Sequence, residues 1–151
     1  MERQTTEEKW IEKNLDVSTY LDRLKYALSN GQAKIQFQHD RLVDNQREVK
    51  FTNRFTIADL FPDEDEVLAL KRELNLLNTS DYIETVKDTR FINRSEMKVF
   101  GKVYNSKDVY IKIRVELMKS SSAGVDNHIF VMSFHYAEIE FKEDDFPYRK
   151  K

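Results

Sequence analysis

The chain has no cysteine, and only three histidines, three glycines and two prolines among 151 residues. Without thiols there are no disulfides, no thiolate metal sites and no cysteine nucleophile. No glycine-rich phosphate loop, paired-carboxylate signature or nucleophile elbow is visible. His39, His128 and His135 are scattered and lack ligand spacing, so neither a metal nor another cofactor is expected. No stretch reads as a membrane span. The opening residues, MERQTTEEKW, are too polar for a signal peptide, which makes the cytoplasm the expected location.

A charge excess of either sign is also missing, the net charge being −2. The distribution is uneven. Residues 87–119 carry nine lysines and arginines against four acids, whereas residues 59–66 hold five acids. A nearly neutral chain with one basic face is compatible with phosphate binding, and it is equally the pattern of an ordinary solvated strand face. The length suits one domain with one core, spanning residues 1–151.

The organising stretch is residues 97–136. Val109, Ile111, Ile113, Val115 and Leu117 alternate with Tyr110, Lys112, Arg114 and Glu116, a period of two that predicts a strand. In the following strand Phe130, Met132 and Phe134 share one face, and Ser133 and His135 the other. In the preceding one Lys98, Phe100, Lys102 and Tyr104 fall together. Asn105 to Asp108 is turn-like. A three-residue loop there sets Tyr104 opposite Tyr110 and Lys102 opposite Lys112; a five-residue loop shifts the partners by two and keeps the faces. Either loop gathers Lys98, Lys102, Tyr110, Lys112, Arg114, Ser133 and His135 on one cationic, hydroxyl-bearing surface. Two lysines facing each other cost roughly 0.2–1 kcal/mol, which suggests an anion to meet.

Along the rest of the chain, Thr6 followed by Glu7 and Glu8 reads as a helix start in an N-terminal extension over residues 1–14, which either packs through Trp10 and Ile11 or frays. A first main helix is predicted over residues 17–29, with Tyr20, Leu21, Leu24, Ala27 and Leu28 as its buried stripe and Gly31 as its stop. Residues 33–38 alternate as a short strand with Ile35 and Phe37 inward. Val49, Phe51 and Phe55 suggest a second one, and Thr56 a cap for a helical turn. A helix over residues 63–77 would bury Val67, Leu68, Leu70, Leu74 and Leu77 behind an acidic start. Thr79 or Ser80 would cap a short helix carrying Tyr82, Ile83 and Val86. Residues 119–127 read as a flexible connection and residues 137–141 as an edge strand. Phe146, Pro147 and Tyr148 are expected to pack the tail back.

Four segments in order carry a family likeness: Leu77 with Asp81-Tyr82, then Val99-Phe100-Gly101-Lys102, then Val109-Tyr110-Ile111-Lys112, then Ser133-Phe134-His135-Tyr136-Ala137-Glu138. In this order and spacing the chain resembles the MqsR family of type II toxin–antitoxin toxins. The specific part covers residues 80–138, and the element order fits a toxin-like domain over residues 17–148. The resemblance implies a RelE-like α+β fold, with an antiparallel sheet of about four to six strands under a helical layer. It implies mRNA cleavage as the activity and a cognate antitoxin as partner. It carries the active surface onto Lys102, Tyr110, Lys112 and His135. Glu84 stands where some members have a basic residue, and Val99 where some place a polar one.

The chemistry expected of such a surface is metal-independent cleavage of single-stranded RNA. RNA supplies its own nucleophile, the 2′-OH. His135 is the candidate proton-transfer group, with base and acid roles undecided. Lys102 and Lys112 would offset phosphate charge in the transition state. Tyr110 would orient the 2′-OH or stack on a base, or else pack against Tyr104. Lys98, Arg114, Ser133, Phe100 and Tyr104 complete the candidate RNA-binding set. The alternative is a non-catalytic module using the same face for RNA or for a protein partner, with Phe100 and Tyr104 as exposed anchors.

Overall fold

The alternating stretch lies near the middle of a six-stranded sheet. The computed structural model describes residues 7–29, 33–40, 47–120 and 124–149. The strands are β1 (Glu7–Trp10), β2 (Ala33–Phe37), β3 (Tyr82–Asp88), β4 (Met97–Tyr104), β5 (Lys107–Ser120) and β6 (Gly124–Tyr136), in the order β1-β3-β4-β5-β6-β2. Three helices, α1 (Asn14–Ser29), α2 (Asn53–Leu60) and α3 (Glu66–Asn75), complete an α+β fold. Among the described residues no helix is long and apolar enough to cross a membrane.

The sheet is mixed rather than antiparallel throughout, because β2 runs parallel to β6. No hairpin joins β2 to its neighbour, so turn geometry does not dictate its direction. Ile35 and Phe37 still face the core, as their alternation predicts.

One hydrophobic core fills the space between the helices and one face of the sheet. Val17, Leu21, Leu24 and Ala27 of α1 meet Ile57 of α2, Leu70 and Leu74 of α3, and Val109, Ile111, Ile113, Ile129, Val131 and Phe134 of the sheet. The helical periodicity of α1 was sufficient to find its stripe, and Tyr20 and Leu28 pack at its margin. In α3 the buried set is Ala69, Leu70, Glu73 and Leu74, with Leu77 just beyond; Val67 and Leu68 face solvent. This helix starts later than residue 63 because Asp65 is its cap, accepting from the Leu68 amide at 3.0 Å.

Several local expectations fail for tertiary reasons. Residues 7–10 form β1 on the outer edge of β3 instead of beginning a helix; Thr6 lies outside the described residues, as does Gly31. The segment carrying Tyr82, Ile83 and Val86 is not a helix. A single 3-10 turn, Thr79–Asp81, leads straight into β3. A register shift between Tyr82 and Glu84 breaks the alternation that would have marked it as a strand. Val49–Phe51 is a 3-10 turn and α2 follows, so there is no strand there. Thr52, not Thr56, caps α2, through the Phe55 amide at 3.2 Å.

The predicted flexible connection at residues 119–127 shrinks, since β5 and β6 extend through Ser120 and from Gly124. Residues 137–141 make no strand. The tail does pack back: Phe146 is buried, and Tyr148 stacks on Tyr82 at 6.1 Å.

The β4–β5 connection decides the site. It is a two-residue turn, Asn105-Ser106, with φ of 51° and 68°. Positive φ at both central positions is the primed turn that matches the right-handed twist of a hairpin. Neither longer loop forms. Serine at φ 68° lacks glycine's freedom there. Ser106→Gly is therefore expected to stabilise the fold by about 0.5–1 kcal/mol, read as a higher thermal midpoint. An unchanged or lower midpoint would contradict the turn geometry.

Candidate functional site

The short turn makes paired residue numbers sum to an odd value. Lys102 sits opposite Val109, Phe100 opposite Ile111 and Lys98 opposite Ile113. The face of β4 that carries Lys98, Phe100, Lys102 and Tyr104 therefore turns toward the helices. A one-residue change of register moves every side chain of a strand to the other face. Lys102 and Lys112 consequently lie on opposite sides of the sheet, against the sequence expectation.

What became of those four residues is specific. Phe100 is fully buried, and Tyr104 packs on Phe61 and Phe134 at 6.3 and 5.8 Å, so neither is an exposed anchor. Burial and the nearby Glu73 carboxylate push the Tyr104 phenol up and hold it protonated. Lys98 is only 4% exposed. Its Nζ lies 3.5 Å from Glu12 Oε1, 3.4 Å from Thr85 Oγ1 and 4.8 Å from the Tyr20 ring centroid. That is a buried ammonium offset inside the protein, out of reach of a phosphate backbone.

Lys102 donates to the Leu76 carbonyl at 3.3 Å and lies 3.8 Å from Asp81. It closes the C-terminal end of α3, where the helix dipole favours a cation. Lys102→Met keeps the alkyl stem and removes this bond. It is expected to cost about 1 kcal/mol, read by denaturant unfolding. A variant of unchanged stability with a tenfold loss of RNA cleavage would return Lys102 to the site.

The opposite face keeps the β5 and β6 candidates together. Val99, Lys112 and Ser133 form one cross-strand row; Gly101, Tyr110 and His135 form the next. Tyr110 and His135 stack with centroids 5.4 Å apart and planes 22° from parallel. Met97, Arg114 and Phe130 make a third row, where Arg114 lies 4.4 Å over the Phe130 ring and 3.5 Å from Glu116. Phosphate binding by Arg114 would compete with that ion pair. Phe130 and Met132 thus face away from Phe134, against the sequence expectation, because a bulge in β6 opposite Lys112 and Ile113 shifts the alternation.

His135 is 5% exposed, yet it lines a cleft of about 410 Å³ with Tyr110, Lys112 and Ser133. Its Nδ1 lies 2.9 Å from the Tyr136 carbonyl oxygen. A carbonyl only accepts, so Nδ1 carries the proton and Nε2 is the basic nitrogen of the neutral ring. The outer wall of the cleft is the tail: Ala137, Glu138, Glu140, Phe141 and Asp145 line it, and Arg47 pairs with Glu138 at 3.2 Å. The surface is thus less cationic than the alternation implied. Lys98 and Lys102 face the other way, and three carboxylates line the rim.

Alternation could not identify the residues that hold this arrangement. Beyond Val131, β6 no longer pairs with β2, and α2 satisfies its bare edge. Asn53 Nδ2 donates to the Gln38 carbonyl at 2.8 Å and the Met132 carbonyl at 3.1 Å; Asn53 Oδ1 accepts from the Phe134 amide at 2.9 Å. Thr56 Oγ1 accepts from the Tyr136 amide at 2.9 Å. His135 is held between those two anchored amides. The Phe134 and Tyr136 amides lie about 80 residues from Asn53 and Thr56 in sequence, beyond any local signal.

Gly101 did carry a signal, since an isolated glycine in a strand marks close approach. A Cβ there would lie 2.5 Å from the Phe141 ring, so glycine is what lets the tail dock over the Tyr110 row. Comparison with protein-family models, with curated proteins and with solved structures gave no match for this chain.

Proposed function

We propose that this chain is a metal-independent endoribonuclease, the toxin of a type II toxin–antitoxin pair, acting on single-stranded mRNA in the cytoplasm. The observation that carries this reading is the stacked Tyr110–His135 pair beside Lys112 and Ser133 in one cleft. The ordered likeness of residues 80–138 to the MqsR family supports it. Lys102 drops out of the reacting set.

The 2′-oxygen attacks the phosphorus in line with the 5′-oxygen. Its proton passes to a base, the bond to the 5′-oxygen breaks, and that oxygen takes a proton as it leaves. The products are a 2′,3′-cyclic phosphate and a 5′-hydroxyl. His135, with Nε2 basic and Nδ1 oriented by a carbonyl, serves as proton-transfer group. Lys112 meets the phosphate charge, joined by Arg47 once the phosphate displaces its Glu138 partner. The Tyr110 ring fixes the imidazole plane and offers a hydroxyl toward the ribose. A cognate antitoxin works by covering this face or by altering access to it.

One observation favours a second reading. The carboxylates of Glu138, Glu140 and Asp145 at the cleft rim suit a non-catalytic module that docks a partner protein on this face. Incubation of a single-stranded RNA with the protein in excess chelator separates the two. The nuclease reading expects fragments ending in 2′,3′-cyclic phosphate. Intact RNA at micromolar protein, across a library covering all short sequences, overturns it.

A further inference from the structure

A second cleft, of about 680 Å³, opens at the end of the sheet beside the Asn105-Ser106 turn. Its size is within the range of small-ligand sites. Phe51, Phe55 and Tyr136 supply aromatic surface, and Lys50 and Lys107 supply charge. Lys107 Nζ is 4.9 Å from the Tyr136 ring centroid, and Lys50 Nζ is 5.1 Å from that of Phe51. Phe55 meets Tyr136 edge to face at 6.4 Å. Both lysines are exposed. Lys50 also lies 3.5 Å from Glu48, a surface pair that a phosphate can replace.

Two carboxylates, Asp108 and Glu140, line the same cleft. Asp108 Oδ2 is taken by the Phe141 amide at 2.9 Å, while Glu140 is exposed. The combination is selective. Aromatic surface accepts the π-face of any base, ammonium groups accept a phosphate, and a carboxylate accepts from an exocyclic amine. The acidic side chains of a peptide would meet the two carboxylates and bring no ring to the aromatic surface.

Position ties this cleft to the first. Tyr136 follows His135 on β6, on the other face of the strand, and Ala137 and Glu140 line both clefts. The geometry points to a nucleotide subsite here: the Lys50–Phe55–Lys107–Tyr136 cleft holds an RNA nucleotide next to the one cut at His135, its base against Phe55 and its phosphate between the two lysines. This inference rests on the nuclease reading for the choice of RNA.

The test is fluorescence anisotropy with a labelled hexaribonucleotide carrying 2′-O-methyl groups at every position, which removes the nucleophile and prevents cleavage. Lys50→Glu/Lys107→Glu is expected to weaken binding at least tenfold. Removal of both charges as Lys50→Gln/Lys107→Gln should reduce the slope of log affinity against log salt by about 0.7, as for one lost single-strand phosphate contact. Phe55→Ala is expected to weaken binding about tenfold with the slope unchanged. Because the lysines are exposed, their variants report even if Phe55→Ala unfolds. Wild-type protein that fails to bind the oligomer, or charge-reversed protein that binds within twofold of wild type, overturns the subsite. If wild type binds through this cleft yet cuts no RNA, the subsite stands and the nuclease reading falls. If charge-reversed protein binds and cuts as wild type does, the nuclease reading stands and the subsite falls.

Discussion

His135→Gln is expected to lower the rate of RNA cleavage by about 100- to 10,000-fold, the usual contribution of a positioned acid–base group. Glutamine preserves the polarity of the side chain without a ring nitrogen that can take up and release the proton. That matters because His135 is 5% exposed and stacked on Tyr110, so alanine would also leave a void. The measurement is single-turnover cleavage of a single-stranded RNA in excess chelator, with thermal unfolding of the same samples. Cleavage within threefold of wild type, at unchanged stability, would remove His135 from the chemistry. Tyr110→Phe is the companion variant: it keeps the stacked ring and loses the hydroxyl, so it separates orientation of the imidazole from contact with the ribose.

Asn53→Leu is expected to cost about 3–5 kcal/mol of stability. The leucine keeps the branch at Cγ, but it strands the Phe134 amide and the Met132 and Gln38 carbonyls, all of which Asn53 now satisfies. A buried polar group left without a partner costs about 1–3 kcal/mol. For a chain of this size the thermal midpoint should fall by roughly 10–15 °C. Loss of less than 1 kcal/mol would mean that the bare edge of β6 finds other partners. Asn53→Asp is a sharper variant of the same test. It keeps an acceptor for the Phe134 amide but turns negative charge toward two carbonyl oxygens. Its deficit should therefore exceed the loss of hydrogen bonds alone, and it should shrink as acid protonates the carboxylate.

Both experiments address one construction. The imidazole is carried by a strand whose neighbouring amides, at Phe134 and Tyr136, are fixed by Asn53 and Thr56 of α2. A catalytic group needs placement within a fraction of an ångström, and a helix locked to the strand on both sides of the residue supplies it. The tail contributes from the other side, with Phe141 seated on Gly101 and Glu138 tied to Arg47.

The parts of this architecture that were legible beforehand are those with a local cause. Alternation over residues 109–117 follows from the pleat of a single strand, and it correctly separated Tyr110, Lys112 and Arg114 from Val109, Ile111 and Ile113. The α1 stripe follows from helical periodicity. Grouping Ser133 with His135 also held, and so did the return of Phe146 and Tyr148. By contrast, the segment carrying Tyr82, Ile83 and Val86 looked helical because a bulge disrupts its alternation, and Val49, Phe51 and Phe55 looked extended because their aromatic spacing does not reveal the helix cap at Thr52.

Amino-acid order was enough to say which side chains of β5 travel together, because neighbouring peptide units force successive side chains to opposite sides; in β6 a bulge opposite Lys112 and Ile113 breaks that rule and parts Phe130 and Met132 from Phe134. Order alone could not say which face of one strand joins which face of the next. That depends on whether two or three residues turn the corner at Asn105, and the difference is settled by twist and packing across the hairpin. Hence Lys98 and Lys102, grouped with His135 by pattern, belong to the helical side, while Gly101 and the remote Arg47 and Phe141 belong to the cleft. Pleating is a property of adjacent residues; pairing parity and the covering of a face are properties of the whole folded chain.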